Sequence, residues 1–262
     1  MNMIKGQLND LIRYRDLLKN LVKKNIKLKY RRSFLGYIWS ILNPLLIMII
    51  LAIVFSQMFN RNVDNFPLYL FTGLLLFNFM NQTTSQSIFS VVDSAALLKK
   101  VYVPKYVFVV ARVTSGLVDL GFSMAALVLI MLFTRASFSW INLLCIFPVL
   151  QVYIFSLGLS LFLAQANVFF RDIQHIYSAV TTAWLYVTPI FYPMEMLPEN
   201  VRFLVEHFNP MYFYIVQFRA FVYDAGLPES EFVVKGCITA VFFLLIGIVS
   251  FKKGQDKFIL YI

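Results

Sequence analysis

Charge is what this sequence has least of. Only 14% of its 262 residues are Asp, Glu, Lys or Arg, against ~25% in soluble globular domains. Acids are the scarcer half, with 13 against 23 basic residues. Cysteine is nearly missing: Cys145 and Cys237 sit apart in apolar runs, with no CxxC and no metal-ligand spacing. Neither a disulfide framework nor a zinc site is expected from them. His175 and His207 are the two histidines, and neither belongs to an HExxH or accompanies a nucleophile elbow. An ordinary catalytic triad or zinc hydrolase therefore has no residues to build on. The phosphate-cradling pattern GxxxxGKS/T is also missing, so no ATP hydrolysis is expected of this chain alone. A long basic segment precedes the first apolar run and no small-residue cleavage site follows it, which argues against a cleaved signal peptide.

What is abundant is apolar surface, at 60% of residues, gathered into long runs without charge. Such runs lie between Arg32 and Arg61, between Asp64 and Asp93, and between Arg135 and Arg171. A bilayer-spanning helix needs ~20 mostly apolar residues. The expected fold is all-α and integral to the membrane, with six transmembrane helices at 36–58, 67–92, 106–133, 140–165, 175–192 and 231–251. The formal net charge of +10 would suggest nucleic acid in a soluble protein. Here it follows a topology. All the basic residues except Arg61, Arg135, Arg202, Arg219 and Lys235 fall in segments that this scheme leaves on one side. By the positive-inside rule that side is the cytoplasm, and six spans return the carboxyl end to it.

Residues 7–30 read as an amphipathic helix suited to the membrane interface. Arg13, Asp16, Asn20, Lys23, Lys24 and Lys27 share one face, and Leu11, Tyr14, Leu18, Leu21, Val22 and Leu28 the other. Between the fifth and sixth spans, residues 193–230 carry four of the nine prolines and two apolar pieces, 201–208 and 211–223, too short to cross. Two readings stand side by side: re-entrant helices on the outer side, or amphipathic helices lying on the surface. The domain plan is a cytoplasmic or interfacial segment (1–35), one membrane domain (36–251) and a cytoplasmic tail (252–262).

Polar side chains inside the spans are the candidate site. Asn78, Asn81, Gln82, Ser85 and Gln86 recur at helical spacing on one face of the second span. They would line a hydrated translocation path, or else hydrogen-bond to neighbouring helices. On the fifth span Tyr177, Thr181, Trp184 and Thr188 form a mixed stripe that Phe191 and Tyr192 continue. Aromatic faces there would stack on sugars or belt the membrane interface. Asp119, with Ser115 and Ser123 one turn either side, is the one acid deep in a span, open to proton coupling or to a structural hydrogen bond.

Three sets of residues resemble a known family. The first is Lys29-Tyr30-Arg31-Arg32-Ser33-Phe34-Leu35-Gly36-Tyr37-Ile38-Trp39, followed by Asn43-Pro44. The second is Asn167-Val168-Phe169-Phe170-Arg171-Asp172-Ile173. The third is Thr188-Pro189-Ile190-Phe191-Tyr192, then Leu197-Pro198, then Asn209-Pro210-Met211-Tyr212. In order and spacing, over nearly the whole chain, they resemble the ABC-2 type permeases that export lipopolysaccharide O-antigen, capsule and teichoic acid polymers. The resemblance implies a transporter subunit in the cytoplasmic membrane rather than an enzyme. It implies a homodimer joined by two cytoplasmic ABC ATPase subunits that bind the ATP and magnesium, with no cofactor in this chain. The substrate it implies is a glycan on an undecaprenyl-type pyrophosphate lipid, with membrane lipids and no nucleic acid as the other partners.

On that resemblance Lys29, Arg31 and Arg32 would gather the carrier's phosphates, although topology alone also accounts for such cations. Lys99, Lys100 and Pro104 would meet the ATPase. Arg171 and Asp172 would lock helix ends or contact that partner. The path would run between the first, second and fifth spans, with Trp39, Trp184 and Phe191 touching sugar. Two rival readings are a small-molecule ABC-2 exporter and a membrane-embedded enzyme acting on polyprenyl lipids. The enzyme would need clustered acids in an inner loop, where only the distant Asp93 and Asp172 stand.

Overall fold

The computed structural model describes residues 14–30, 36–59, 63–101 and 103–261, and everything in it is helical or irregular; no strand occurs among the described residues. The helices are α1 (Arg15–Tyr30), α2 (Gly36–Phe59), α3 (Phe66–Ile88), the short α4 (Ala95–Leu98), α5 (Tyr106–Phe133), α6 (Ile146–Phe169), α7 (Ile173–Val187), α8 (Glu199–Phe208), α9 (Pro210–Val222) and α10 (Ser230–Gly254). Short 3₁₀ segments precede α4 (Val92–Ser94), α6 (Trp140–Cys145) and α8 (Met194–Met196) and close the tail (Gln255–Leu260).

Among the described residues, four stretches are long and apolar enough to cross a bilayer: Ile38–Phe55, Tyr106–Phe133, Trp140–Phe169 and Ser230–Phe258. The other two expected spans differ for physical reasons. α3 is ~34 Å long at 1.5 Å per residue, but the amides of its second half dilute its hydropathy. α7 has 15 residues, ~22 Å, where the expected span ran on to residue 192. Thr188 takes an extended backbone before Pro189, because a proline ring crowds a preceding helical residue. The chain then bends, and the Tyr192 hydroxyl donates back to the Tyr186 carbonyl at 2.6 Å.

α3 is the hub. Its buried residues run from Phe66 to Ile88, and it packs on α5, α6 and α9. Thr83 of α3 lies against Gly116 of α5, where a Cβ would stand 2.2 Å from the threonine methyl. The most extensive helix pair is α6 with α10. Their backbones touch at Gly158 and Gly247, where a Cβ on Gly247 would sit 2.1 Å from the Gly158 carbonyl oxygen. Small residues at such a crossing let helices meet where no water-driven force holds them together. α9 is buried along most of its length against α3, α6 and α10, whereas α8 leaves Phe203, Leu204 and Phe208 exposed.

One end of the bundle collects the exposed Lys99, Lys100, Arg171, Lys252 and Lys253 and is called here the basic end. A small core of Val91, Val109, Leu161, Val168, Phe251 and Phe258 seals it. Lys105, at the start of α5, donates to the Gln255 carbonyl and lies 5.3 Å from the Phe258 ring centre, tying the tail down. Burial there pushes the Lys105 ammonium below the usual lysine pKa.

Candidate functional site

The second half of α3 has a single uncovered stripe. Asn78 and Gln86 are exposed and Asn81, Gln82 and Ser85 half-buried, while Phe79, Met80, Thr83, Thr84, Ser87 and Ile88 between them are buried. The polar face legible in the sequence is thus the wall of a groove of about 830 Å³. α2 supplies the facing wall with Trp39, Ser40, Asn43 and Pro44; α5 supplies Asp119 and Ser123; α1 supplies Lys29. Pro44 gives no N–H to the Ser40 carbonyl one turn earlier.

Among the described residues the groove holds one charge pair. Lys29 Nζ lies 2.8 Å from Asp119 Oδ1, and Gln82 Nε2 donates to Asp119 Oδ2 at 3.3 Å. The two side chains are 42% and 20% exposed, so the carboxylate is the more enclosed partner. A second pair, Arg112 with Asp93 at 3.6 Å, sits seven residues earlier on α5, ~10 Å nearer the basic end. α1 reaches Asp119 because it lies along α5. Leu17, Leu18, Leu21, Val22 and Ile26 are half-buried while Lys19, Lys23, Lys24 and Lys27 stay exposed.

The expected path residues divide. Trp39, Asn78, Asn81, Gln82 and Ser85 meet in the groove together with Lys29. α7 contributes nothing to it; α5 occupies that wall instead. Tyr177 is buried and shares a 2.6 Å hydrogen bond with Thr84 of α3. Thr181 is buried and donates to the Tyr177 carbonyl in its own helix. The Trp184 indole donates to Asn209 Oδ1 at 2.8 Å. Phe191 is buried against Phe55, and Tyr192 is half-buried. Of the expected headgroup cations, Arg31 and Arg32 lie outside the described residues. Lys99, Lys100, Arg171 and Asp172 are exposed at the basic end, with Pro104 half-buried beside them. Neither Arg171 nor Asp172 enters an ion pair among the described residues.

At the opposite end a second polar cluster ties the break after α7 to α9. Asn209 Oδ1 accepts from the Met211 and Tyr212 amides as the cap of α9, and its Nδ2 donates to Thr188 Oγ1 at 3.0 Å. Arg219, 8% exposed, donates to the carbonyls of Pro189 (2.9 Å), Ile190 (3.2 Å) and Tyr69 (3.2 Å), and its guanidinium lies 3.5 Å from the Tyr69 ring centre. Sequence reasoning read Arg219 only as an outer charge. The available signal was an arginine among the apolar residues 211–223, since a charge in such a setting calls for a partner.

The residue sets that carried the resemblance acquire structural roles here. Asn167 Nδ2 donates to the Ile88 carbonyl at the end of α3. The Thr188-Pro189-Ile190 and Asn209-Pro210 sets meet in the second cluster.

Comparison with known proteins agrees with this architecture. The chain is 31% identical to an O-antigen export system permease protein RfbA of Myxococcus xanthus over 250 residues, covering 95% of this chain and 96% of that protein. It is 31% identical to a Klebsiella pneumoniae protein of the same name, covering 93% of each. It is 22% identical to the capsule polysaccharide export inner-membrane protein CtrC of Neisseria meningitidis, covering 95% and 96%. The family profile described as ABC-2 type transporter matches residues 16–223. The chain belongs to the ABC-2 type transporter family.

Proposed function

We propose that the chain is the permease of an ABC exporter that moves a lipid-linked polysaccharide of O-antigen type across the cytoplasmic membrane. The observation that carries this is the groove. A wall of amides with one Lys–Asp pair suits a hydroxyl-rich chain and an anionic headgroup far better than an apolar drug. The names of the full-length relatives support the same substrate class.

In this reading α2, α3, α5, α6, α7 and α10 make six crossings, with both termini in the cytoplasm. α1 lies in the interface, and α8 and α9 form a re-entrant pair; the burial of α9 in protein supports that placement. Lys29 receives the carrier's pyrophosphate, and the α3 stripe guides the first sugars. α2 has only 6% of its Ile38–Phe55 stretch buried, which supports a second copy completing the path. Lys99, Lys100, Arg171 and Asp172 offer an ATPase partner exposed charge at the basic end. That partner brings ATP and magnesium, and its cycle shifts the permease between closed and open populations.

Reconstitution with the ABC ATPase tests this. A lipid-pyrophosphate-linked glycan should raise ATP turnover several-fold in the complex, and Asn81→Leu should abolish the increase. Equal stimulation by small amphipathic drugs would overturn the substrate class.

A further inference from the structure

The transport reading leaves a question in its own groove: why a cation meant for phosphate is held beside a carboxylate. Lys29 closes α1 and Asp119 lies midway along α5, so tertiary packing alone brings them within 2.8 Å. Gln82 holds the second carboxylate oxygen, which fixes Asp119 facing the lysine. Among the described residues, the other side chains lining the groove are uncharged: Asn43 and Trp39 from α2, Asn78 and Asn81 from α3, Ser123 from α5.

A lone ammonium in a groove open to a bilayer would collect the phosphodiester groups of ordinary anionic phospholipids, which outnumber any carrier lipid. With Asp119 in place, an arriving phosphate must displace an acceptor already in contact and also meet that acceptor's repulsion. A phosphodiester carries one negative charge and only matches the carboxylate it would replace. A lipid pyrophosphate brings at least two charges and more oxygens, so it outbids one carboxylate while offering the groove's amide N–H groups further acceptors.

We propose that Asp119 is a charge threshold: it keeps Lys29 from singly charged lipid phosphates and yields it to a lipid pyrophosphate. Asp119 is then a specificity-determining residue of the groove. This rests on reading the groove as a headgroup site, and the two ideas fail in different ways.

The full-length chain would be placed in nanodiscs of phosphatidylcholine, or of phosphatidylcholine with phosphatidylglycerol. Binding of farnesyl pyrophosphate would be read from the fluorescence of Trp39, with Trp39→Phe as the control for signal origin. Surface charge weakens the probe equally in all variants, so the informative number is each variant's loss on adding phosphatidylglycerol relative to the unaltered chain. Asp119→Asn should lose on the order of tenfold more than the unaltered chain, and Lys29→Gln should bind poorly in both discs. If Asp119→Asn shows no extra loss while Lys29→Gln abolishes binding, the threshold is refuted and the headgroup site stands. If Lys29→Gln binds like the unaltered chain, the headgroup site falls and the threshold with it. Should Asp119→Asn not elute as a monodisperse species, Gln82→Leu keeps the carboxylate but loosens its hold. It should lose about threefold more than the unaltered chain, and no extra loss would refute the threshold.

Discussion

At the basic end of the bundle, amides of α3 look out into a groove; at the other end Arg219, Asn209 and Trp184 direct their hydrogen bonds at protein partners. Both clusters sit in apolar helices, and both stand out as polar residues where lipid-facing sequence would be greasy. Their construction is opposite. In the cluster at the other end Arg219 meets carbonyls left over where α7 breaks and Asn209 caps α9, so the polar side chains complete the fold. In the groove the α3 side chains keep most of their capacity for something that is not protein, apart from Gln82 on Asp119 and Ser85 on Asn81. A polar residue in a membrane helix is therefore not one kind of object. What decides its role is whether its partner is fixed in the fold or arrives from outside.

Substitutions that cut into each cluster break or sharpen this contrast. The largest effect belongs to Arg219→Ala, which takes a charged donor from the buried carbonyls of Pro189 and Ile190 and from the half-buried Tyr69 carbonyl, and should lower stability by about 3 kcal/mol or more. The readout is the fraction of monodisperse protein surviving a heating series in detergent. Arg219→Lys should not restore it, because a single ammonium cannot span three acceptors as the planar fork does. Asn209→Ala removes the cap of α9 and the partner of Trp184 together, for about 2 kcal/mol in the same series. Tyr177→Phe deletes one hydroxyl shared with Thr84, at about 1 kcal/mol. Smallest is Asn78→Leu on the exposed stripe: stability should stay within about 0.5 kcal/mol, while glycan-stimulated ATP turnover in the reconstituted complex falls. An Asn78→Leu protein that melts as early as Asn209→Ala would erase the distinction between the clusters.

Periodicity made the groove's main wall legible. Five polar residues at 78, 81, 82, 85 and 86 can share a face only if the segment is helical, and the structure leaves that face alone uncovered. The basic amphipathic helix was legible for the same reason over 15–30. Legibility stopped where the partner lies far along the chain. Asp119 read as an isolated acid because Lys29 stands ninety positions away, and no local pattern records that α1 lies along α5. The aromatic stripe of α7 has the right spacing for a path, but which neighbour covers it depends on how the helices cross. Tyr177 meets Thr84 and Trp184 meets Asn209 for that reason. The end of α7 was missed by five residues although Pro189 was in view. A proline inside a membrane helix is also tolerated, as Pro44 in α2 shows.

Composition and the pattern of runs by themselves determined a helical chain at home in a bilayer, with its cations massed at one end. Those properties depend on transfer of each segment from water and on short-range periodicity, which are local. Only the tertiary structure decided which polar groups were neutralised within the protein and which were left facing a groove. Electrostatic and hydrogen-bond satisfaction depend on distances of about 3 Å between residues remote in the chain, and packing sets those distances.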